Sequence, residues 1–235
     1  MRAVIFDLDG TLQTLELDFE TIRAGLEALL SPLLPPSSRL LHGPILEAVD
    51  GALARALEMG VPPKEILRAR AAARELMERA ELASLPRSRV LPGARETLAA
   101  LSRRGLKIAI LSRACRKYVE ASAARLGAQF DALASREDVA RYKPDPAPVL
   151  FLAERMGVMP AECAVVGDHP FDMEAGMRAG ARCAGVLTGS GNREQLVEAG
   201  AEAVFEGLGE ELVEWLCAGR EQLRAPLRRA RPLGR

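Results

Sequence analysis

A short apolar run that ends in two aspartates constrains this chain more than any other stretch. Residues 3–6 read Ala-Val-Ile-Phe, which is typical of a strand buried on both faces of a parallel sheet. Asp7 and Asp9 follow at once, and Gly10 and Thr11 turn the chain. Carboxylates at this position lie at the carboxyl edge of an open α/β sheet, where such folds bind ligands. Because both side chains lie on the same side of an extended backbone, the pattern predicts a proton or a divalent cation between them.

In the remainder of the chain, the spacing of apolar residues predicts two regions of different architecture. From about residue 18 to residue 85, apolar residues recur at helical spacing without the alternation of a strand. From residue 92 onward, short apolar runs alternate with helical segments, which predicts a parallel sheet with helices on both faces. Strands are predicted at 106–111, 130–133, 163–167, 183–187 and 203–205, and helices at 93–103, 116–126, 147–156, 172–179, 194–199 and 210–217. The predicted fold class is therefore α/β, a Rossmann-like parallel sheet with a small all-helical insertion after the first strand.

This change of pattern divides the chain into three predicted regions. Residues 1–13 and 86–219 form the α/β core, residues 14–85 form the helical insertion, and residues 220–235 form a basic tail. The tail contains six arginines and one glutamate. We interpret it as a solvated, flexible end, with a basic arm for an anionic partner as the alternative.

Composition and charge exclude several classes of protein. Hydrophobic residues make up 49% of the 235 residues and charged residues 27%, as in an ordinary globular enzyme. No apolar run reaches the ~18 residues that span a bilayer, and the first strand begins too early for a signal peptide to precede it. The 32 basic and 32 acidic residues balance, so the total charge does not indicate nucleic acid. We therefore expect a cytoplasmic monomer or homodimer that binds neither membranes nor nucleic acid.

Three further polar motifs occur in the predicted core. Ser112 ends the run KIAILS and is followed by Arg113. Lys143 stands in RYKPDP and is one of only four lysines in the chain. Asp168 and Asp172 occur in AVVGDHPFD, after another apolar run. Taken singly, the serine and the two aspartates could be helix caps, and the lysine could be a solvated loop residue.

In this order, the motifs resemble those of the haloacid dehalogenase-like (HAD) hydrolases, in the phosphoglycolate phosphatase-like branch with a small helical cap. The resemblance covers most of residues 1–13 and 86–190. It implies that Asp7 is a nucleophile that forms an aspartyl-phosphate and that Asp9 is the general acid and base. Because the dehalogenase branch lacks an aspartate at the position of Asp9, phosphoryl transfer is favoured over dehalogenation. The alternative for Asp9 is a carboxylate that only stabilises the turn near Thr11.

The resemblance also implies which residues bind the phosphoryl group. Thr11 would hold the aspartate loop, Ser112 would contact phosphoryl oxygens, and Lys143 would neutralise their charge. Arg113 is a candidate for contacting the same anion or a carboxylate of the substrate. Arg23 and His42, in the helical insertion, are further candidates for binding an anion.

A magnesium site follows from the same resemblance. Asp7, the main-chain carbonyl of Asp9, and Asp168 would hold Mg²⁺, which prefers a few hard oxygen ligands. Asp172 would support the site by contacting either Lys143 or a metal-bound water. We expect His169, which follows Asp168 directly, to orient the loop rather than to bind metal.

The function predicted from these residues is a Mg²⁺-dependent phosphatase for a small phosphorylated metabolite, such as a phosphoglycolate-like or sugar-phosphate-like monoester. Residues 14–85 would be the cap that covers the catalytic face. Where the phosphoglycolate phosphatase-like branch continues its first motif with valine, aspartate and serine or threonine, this chain has Gln13, Thr14 and Leu15. The alternatives are a phosphomutase of the β-phosphoglucomutase type and a non-catalytic regulatory or binding protein on the same fold.

Overall fold

The computed structural model of the chain describes residues 1–35 and 42–218. The predicted tail at residues 220–235 lies outside the described residues. The strands are β1 (Ala3–Asp7), β2 (Lys107–Leu111), β3 (Ala132–Ala134), β4 (Cys163–Gly167), β5 (Arg182–Val186) and β6 (Ala203–Phe205). The helices are α1 (Phe19–Leu30), α2 (Ile45–Glu58), α3 (Pro63–Ser84), α4 (Ala94–Arg103), α5 (Arg116–Leu126), α6 (Ala147–Met156), α7 (Pro170–Ala179), α8 (Arg193–Glu198) and α9 (Glu210–Cys217).

The six strands form one parallel sheet in the order β3-β2-β1-β4-β5-β6. Strand β1 is central, and every one of its residues is buried, as its unbroken apolar run predicts. Ala3 pairs in register with Lys107 on one side and with Cys163 on the other. The carboxyl ends of β1, β2 and β4 therefore lie side by side at one edge of the sheet.

Helices cover both faces of this sheet, which confirms the predicted fold class. The chain moves outward from β1 through β2 to β3 in one direction and from β4 through β5 to β6 in the other. Right-handed crossovers consequently place α4 on one face and α6 and α7 on the opposite face. On the second face, Ile5 of β1 and Val165 of β4 share a core cluster with Val149 and Leu152 of α6.

Most strands and helices of the α/β core begin and end close to their predicted bounds, with two departures. Strand β3 begins at Ala132, two residues after the predicted start, and Asp131 just before it contacts Ile108 of β2 through both main chain and side chain, with its N–H donating to the Ile108 carbonyl at 2.7 Å. Asp131 accepts a hydrogen bond from the Ile108 N–H on Oδ2 at 2.8 Å. Helix α7 begins earlier than predicted, since His169 caps it and Pro170 occupies the first helical position, where a missing N–H costs nothing.

A second compact unit comprises residues 15–88 and 114–122, and we call it the helical unit. Helices α1, α2 and α3 pack apolar stripes against one another around Leu26, Leu53 and Met77. Residues 114–122, which include the first turns of α5, group with these helices. The buried carboxylate of Glu81 in α3 accepts the N–H of Cys115 at 2.9 Å, and this bond ties the start of α5 to α3.

The longest helix, α3, has many charged residues along its length. Among the residues that the structure describes, no helix has both the length and the apolar composition needed to cross a membrane.

The central position of β1 leads to a stability prediction. Ile5→Ala removes a fully buried side chain from the sheet core, so we expect the free energy of unfolding to fall by about 2 to 5 kcal/mol. Val197→Ala is the control, because Val197 on α8 is 55% exposed and its truncation should change stability by less than about 0.5 kcal/mol. Urea unfolding measures both variants. Equal losses in the two variants would contradict the burial of β1.

Candidate active site

The candidate site lies at the edge of the sheet where β1, β2 and β4 end. Asp7 is the last residue of β1 and pairs in register with Leu111, the last residue of β2. Ser112 follows β2 directly, and Asp168 follows β4 directly. All three polar side chains are buried. Strand pairing thus brings together residues that are more than 150 positions apart in the sequence.

The ammonium of Lys143 lies between two carboxylates at this edge. Its Nζ is 2.5 Å from Asp7 Oδ1 and 2.5 Å from Asp172 Oδ1, and it is 3.4 Å from the Leu111 carbonyl oxygen. Asp172 stands in the first turn of α7, and its Oδ2 accepts the N–H of His169 at 3.1 Å. Lysine and both aspartates are buried, so these contacts are shielded from water.

Two arginines donate hydrogen bonds to main-chain carbonyls of the loop that contains Lys143. Arg113 Nη1 donates to the main-chain carbonyl of Lys143 at 2.9 Å, and Arg178 Nη1 donates to the carbonyl of Pro144 at 3.3 Å. The Arg113 guanidinium carbon is also 5.9 Å from the centre of the Tyr142 ring and 5.4 Å from the Phe171 ring. These contacts give Arg113 a structural role beside Lys143, in addition to its predicted role toward a substrate anion.

The carboxylate of Asp168 is held by hydrogen-bond donors on both of its oxygens. Thr11 Oγ1 donates to Oδ1 at 3.1 Å, and the Ser190 N–H donates to Oδ2 at 2.9 Å. The Gly191 N–H donates to the Asp168 main-chain carbonyl at 3.0 Å. A Cβ at Gly189 would lie only 2.0 Å from Asp168 Oδ2, so any other residue would collide with the carboxylate. The loop after β5 therefore wraps Asp168 closely.

Sequence analysis missed this loop. Part of its contact with Asp168 comes from main-chain N–H groups and from the missing side chain of Gly189, which residue types do not reveal, and the Ser190 hydroxyl adds a hydrogen bond to Oδ2 at 3.3 Å. The one available signal was the run Thr-Gly-Ser-Gly directly after an apolar strand, at the edge where ligands bind. Thr188 in this run donates from Oγ1 to the Gly10 carbonyl at 2.6 Å and so joins the loop to the first motif.

Asp7, Asp168 and Asp172 form an acidic cluster in which one oxygen of each residue lies within 4.8 Å of the others. Burial raises the pKa of Asp7 well above its ordinary value, and the charges of Asp172 and Asp168 raise it further against the opposing effect of Lys143. Burial and the charge of Asp172 likewise raise the pKa of Asp168. Burial alone would lower the pKa of Lys143, but its two carboxylate partners outweigh that effect and raise it.

The cluster therefore holds more negative than positive charge when its groups are ionised. Three carboxylates face one ammonium, which leaves an excess suited to a divalent cation. Asp172 already accepts hydrogen bonds on both oxygens. Asp7 Oδ2, by contrast, accepts no hydrogen bond within the part of the chain that the structure describes. Within the described residues, Asp7 is thus the carboxylate of the cluster that keeps an oxygen without a hydrogen bond.

Asp9 lies two residues beyond Asp7 and outside the acidic cluster. Its carboxylate is half-buried, and its Oδ1 accepts a hydrogen bond from Gln13 Nε2 at 2.8 Å. The main-chain N–H of Ser112 is used by the sheet, since it donates to the Ala134 carbonyl at 2.9 Å. The N–H of Ser112 is therefore already engaged in the sheet.

The remaining candidates have structural contacts of their own. Arg23 lies in the helical unit, where its Nη2 donates to the Gly43 carbonyl at 3.0 Å, and His42 is exposed in the same unit. His169 caps α7, with Nδ1 accepting the N–H of Phe171 at 3.1 Å. This contact fixes the imidazole at the start of α7.

The chain is similar in sequence and in structure to known hydrolases. Its residues 1–180 match the haloacid dehalogenase-like hydrolase family. N-acetylmuramic acid 6-phosphate phosphatase from Pseudomonas aeruginosa is 30% identical over 194 residues, which cover 80% of this chain and 83% of that relative. Phosphoglycolate phosphatase 1 from the same organism is 28% identical over 216 residues, which cover 88% of this chain and 77% of that relative.

A crystal structure of a HAD family hydrolase from Deinococcus radiodurans, with bound phosphate and sodium, superposes with a TM-score of 0.56. The two chains are 28% identical, and the match covers 90% of this chain and 92% of that one. The comparisons confirm the predicted enzyme class, a phosphoric monoester hydrolase. The chain belongs to the haloacid dehalogenase-like hydrolase family.

Proposed function

We propose that this protein is a Mg²⁺-dependent phosphatase that hydrolyses a small phosphorylated metabolite through an aspartyl-phosphate on Asp7. The observation that carries the proposal is the ammonium of Lys143, held between Asp7 and Asp172 beside a further buried carboxylate. A strand-end carboxylate next to a fixed positive charge can receive a phosphoryl group whose oxygens the same charge neutralises.

Asp7 performs the first step. A carboxylate oxygen attacks the phosphorus of the ester in line, and the bond from phosphorus to the leaving oxygen breaks. Asp7 Oδ1 is held by Lys143, which leaves Oδ2 as the oxygen with no hydrogen bond inside the described residues. This difference between the two oxygens favours Oδ2 as the attacking atom. The aspartyl-phosphate that forms divides one difficult displacement into two easier ones.

Asp9 moves the protons in both steps. Its carboxyl group donates a proton to the leaving oxygen, and the resulting carboxylate then takes a proton from the water that attacks the aspartyl-phosphate. Inorganic phosphate leaves, and Asp7 returns to its free carboxylate. A half-buried position outside the acidic cluster suits this exchange, because Asp9 remains apart from the Lys143 ion pair.

The phosphoryl oxygens are bound by Lys143, Ser112 and the turn that contains Thr11. Lys143 keeps its proton, since the adjacent carboxylates raise its pKa, and it therefore acts as a permanent positive charge. Ser112 contributes a hydroxyl from the end of β2. Thr11 fixes Asp168 through its own hydroxyl and so joins the phosphate-binding turn to the metal-binding residues.

The acidic cluster fits Mg²⁺. Its hard carboxylate oxygens are buried close together, and their excess negative charge matches a divalent ion. Asp7, Asp168 and the main-chain carbonyl of Asp9 would hold the ion, and Asp172 would keep Lys143 in place beside it. When bound, Mg²⁺ supplies positive charge that offsets the negative charge of the phosphoryl group.

The substrate that we propose is a small phosphate monoester of the phosphoglycolate or sugar-phosphate type. The two relatives from P. aeruginosa are named for phosphate esters of small acids, and Arg113, which donates to the Lys143 carbonyl, is our candidate for contacting a second anionic group. We assign the helical unit the role of the cap, with Arg23 and His42 as its candidate contacts. We also propose a cytoplasmic location.

Phosphate release from a panel of small phosphate esters tests this function. The wild type should release phosphate with Mg²⁺ and not with a chelator. Asp7→Asn should lower kcat by about 1,000-fold or more, because it removes the nucleophile. Asp50→Asn, which alters a partly exposed ion pair with Arg70, is the matched control and should retain activity.

Retained activity in Asp7→Asn would overturn the proposal, as would a wild type that is active without any divalent cation. A strict requirement for a sugar bisphosphate would identify a phosphomutase instead.

Removal of a charge from the acidic cluster gives a second prediction. Burial and the charge of Asp172 raise the pKa of Asp168 above its unfolded value, so the folded state binds this proton more tightly than the unfolded state. Asp168 therefore does not destabilise the folded state below pH 3.8, its ordinary pKa. As the pH rises above that value, ionisation of the buried carboxyl group lowers the stability of the folded state. At neutral pH and without Mg²⁺, Asp168→Asn should raise the free energy of unfolding by about 1 to 3 kcal/mol.

Asparagine can keep the surrounding contacts, because its oxygen can accept from Ser190 while the Thr11 hydroxyl accepts from its amide. Urea unfolding with a chelator and with Mg²⁺ measures the effect. We expect Mg²⁺ to stabilise the wild type but not the variant. Glu206→Gln is the control, since that side chain is 85% exposed. Stabilisation of Asp168→Asn by Mg²⁺ to the wild-type extent would show that Asp168 does not hold the ion.

A further inference from the structure

We propose that Gln13 is a positioning residue that holds one oxygen of Asp9 and so determines which oxygen of that carboxyl group transfers the proton. This role rests on the proposed function of Asp9 as general acid and base. Gln13 stands at a position where the resemblance led us to expect an apolar residue. It is nevertheless 2% exposed, and its Nε2 lies 2.8 Å from Asp9 Oδ1.

Main-chain hydrogen bonds hold the backbone of Gln13 in place independently of its side chain. The Gly10 N–H donates to the Gln13 carbonyl at 2.7 Å, and the Gln13 N–H donates to the Leu8 carbonyl at 3.0 Å. Single β-bridges connect Gln13 to Asp9 on one side and to Val90 on the other. Its amide group is therefore attached to a backbone that cannot shift without breaking the turn after β1.

The chemistry of the contact determines its direction. An ionised carboxylate only accepts hydrogen bonds, so the amide must present its N–H to Asp9 Oδ1. A proton on Oδ1 would compete with that N–H, and Oδ2 is therefore the oxygen that carries the proton in the acid form. Because the amide is buried, the hydrogen bond is shielded from water and holds the carboxyl group in one orientation.

The orientation of Asp9 by Gln13 affects one step of the reaction, the protonation of the leaving oxygen. Protonation of the leaving oxygen matters greatly for an alkyl ester, whose alkoxide is a poor leaving group, and little for a 4-nitrophenyl ester, whose phenolate is stable. A residue that orients the general acid should therefore affect the two esters unequally. A residue that merely stabilises the fold should affect both by the same factor.

The experiment compares wild type, Gln13→Met and Thr14→Val on an alkyl phosphate and on 4-nitrophenyl phosphate, with Mg²⁺ present. Methionine matches the length of glutamine but has no N–H to donate. Thr14→Val is the matched control, because Thr14 follows Gln13 directly in the chain and its Oγ1 accepts the Arg89 N–H at 3.0 Å. The measured quantity is kcat/KM, which reports the steps up to formation of the phosphoenzyme.

We expect Gln13→Met to lose about 10- to 100-fold in kcat/KM for the alkyl ester and less than about 3-fold for the 4-nitrophenyl ester. Thr14→Val should leave the ratio between the two esters unchanged. An equal loss for both esters in Gln13→Met, or no loss for either, overturns the proposal. A wild type that hydrolyses neither ester counts against the proposed function instead.

Crystal structures of the wild type and Gln13→Met test the positioning role independently of activity. We expect the Asp9 carboxyl group to adopt a different orientation, or several, in the variant. An Asp9 that keeps its wild-type position without the amide of Gln13 overturns the proposal whatever the activity of the protein.

Discussion

The ammonium of Lys143 lies between Asp7 and Asp172, and this buried ion pair is the interaction on which the arrangement of the site depends. A charge removed from water is tolerated only when opposite charges and hydrogen bonds replace the lost solvent. The sheet supplies one carboxylate at the end of β1, and α7 supplies the other from its first turn. The lysine itself comes from a loop, in which Arg113 and Arg178 bind the consecutive main-chain carbonyls of Lys143 and Pro144.

The same burial leaves the site with unbalanced charge. Asp168 adds a third carboxylate, and the pKa values of Asp7 and Asp168 are raised because burial and their neighbours oppose ionisation. A core built for stability would avoid such an arrangement, whereas a site that binds a cation and a phosphoryl group depends on it. The loop after β5 reinforces the arrangement, since Gly189 allows the chain to approach Asp168 closely enough for the Ser190 N–H to bind it.

Much of the fold could be predicted from the sequence because apolar runs are long enough to define the strands and directly precede the polar motifs. Strand β4 and helix α6 occupy their predicted residues, and the structure brings Asp7, Lys143, Asp168 and Asp172 close together. Features that depend on tertiary contact were not predictable. Residues 114–122 group with the helical unit through such contacts, among them the bond from the Cys115 N–H to the buried Glu81 carboxylate and the ion pair of Lys117 with Glu78.

The contact between Gln13 and Asp9 was hidden from sequence analysis for a similar reason. A glutamine after a turn normally indicates a solvated residue, but Gln13 is buried and lies in a segment that pairs with Val90. The wrapping of Asp168 by the loop after β5 also comes from main-chain groups, which are common to every residue. The polar side chains of the candidate site could therefore be identified from the sequence. The main-chain bonds to Asp168 and the burial of Gln13 could be found only from the structure.

The central claim is that Asp7 carries the phosphoryl group, and rapid acid quenching followed by peptide mass analysis tests it most directly. The wild type, mixed with a substrate ester and Mg²⁺ and quenched within the first turnover, should yield a phosphate adduct on the peptide that contains residues 3–12. Fragmentation of that peptide should place the phosphate on Asp7 and not on Asp9. Phosphate found on another residue, or turnover without any adduct at the shortest times, would contradict the account.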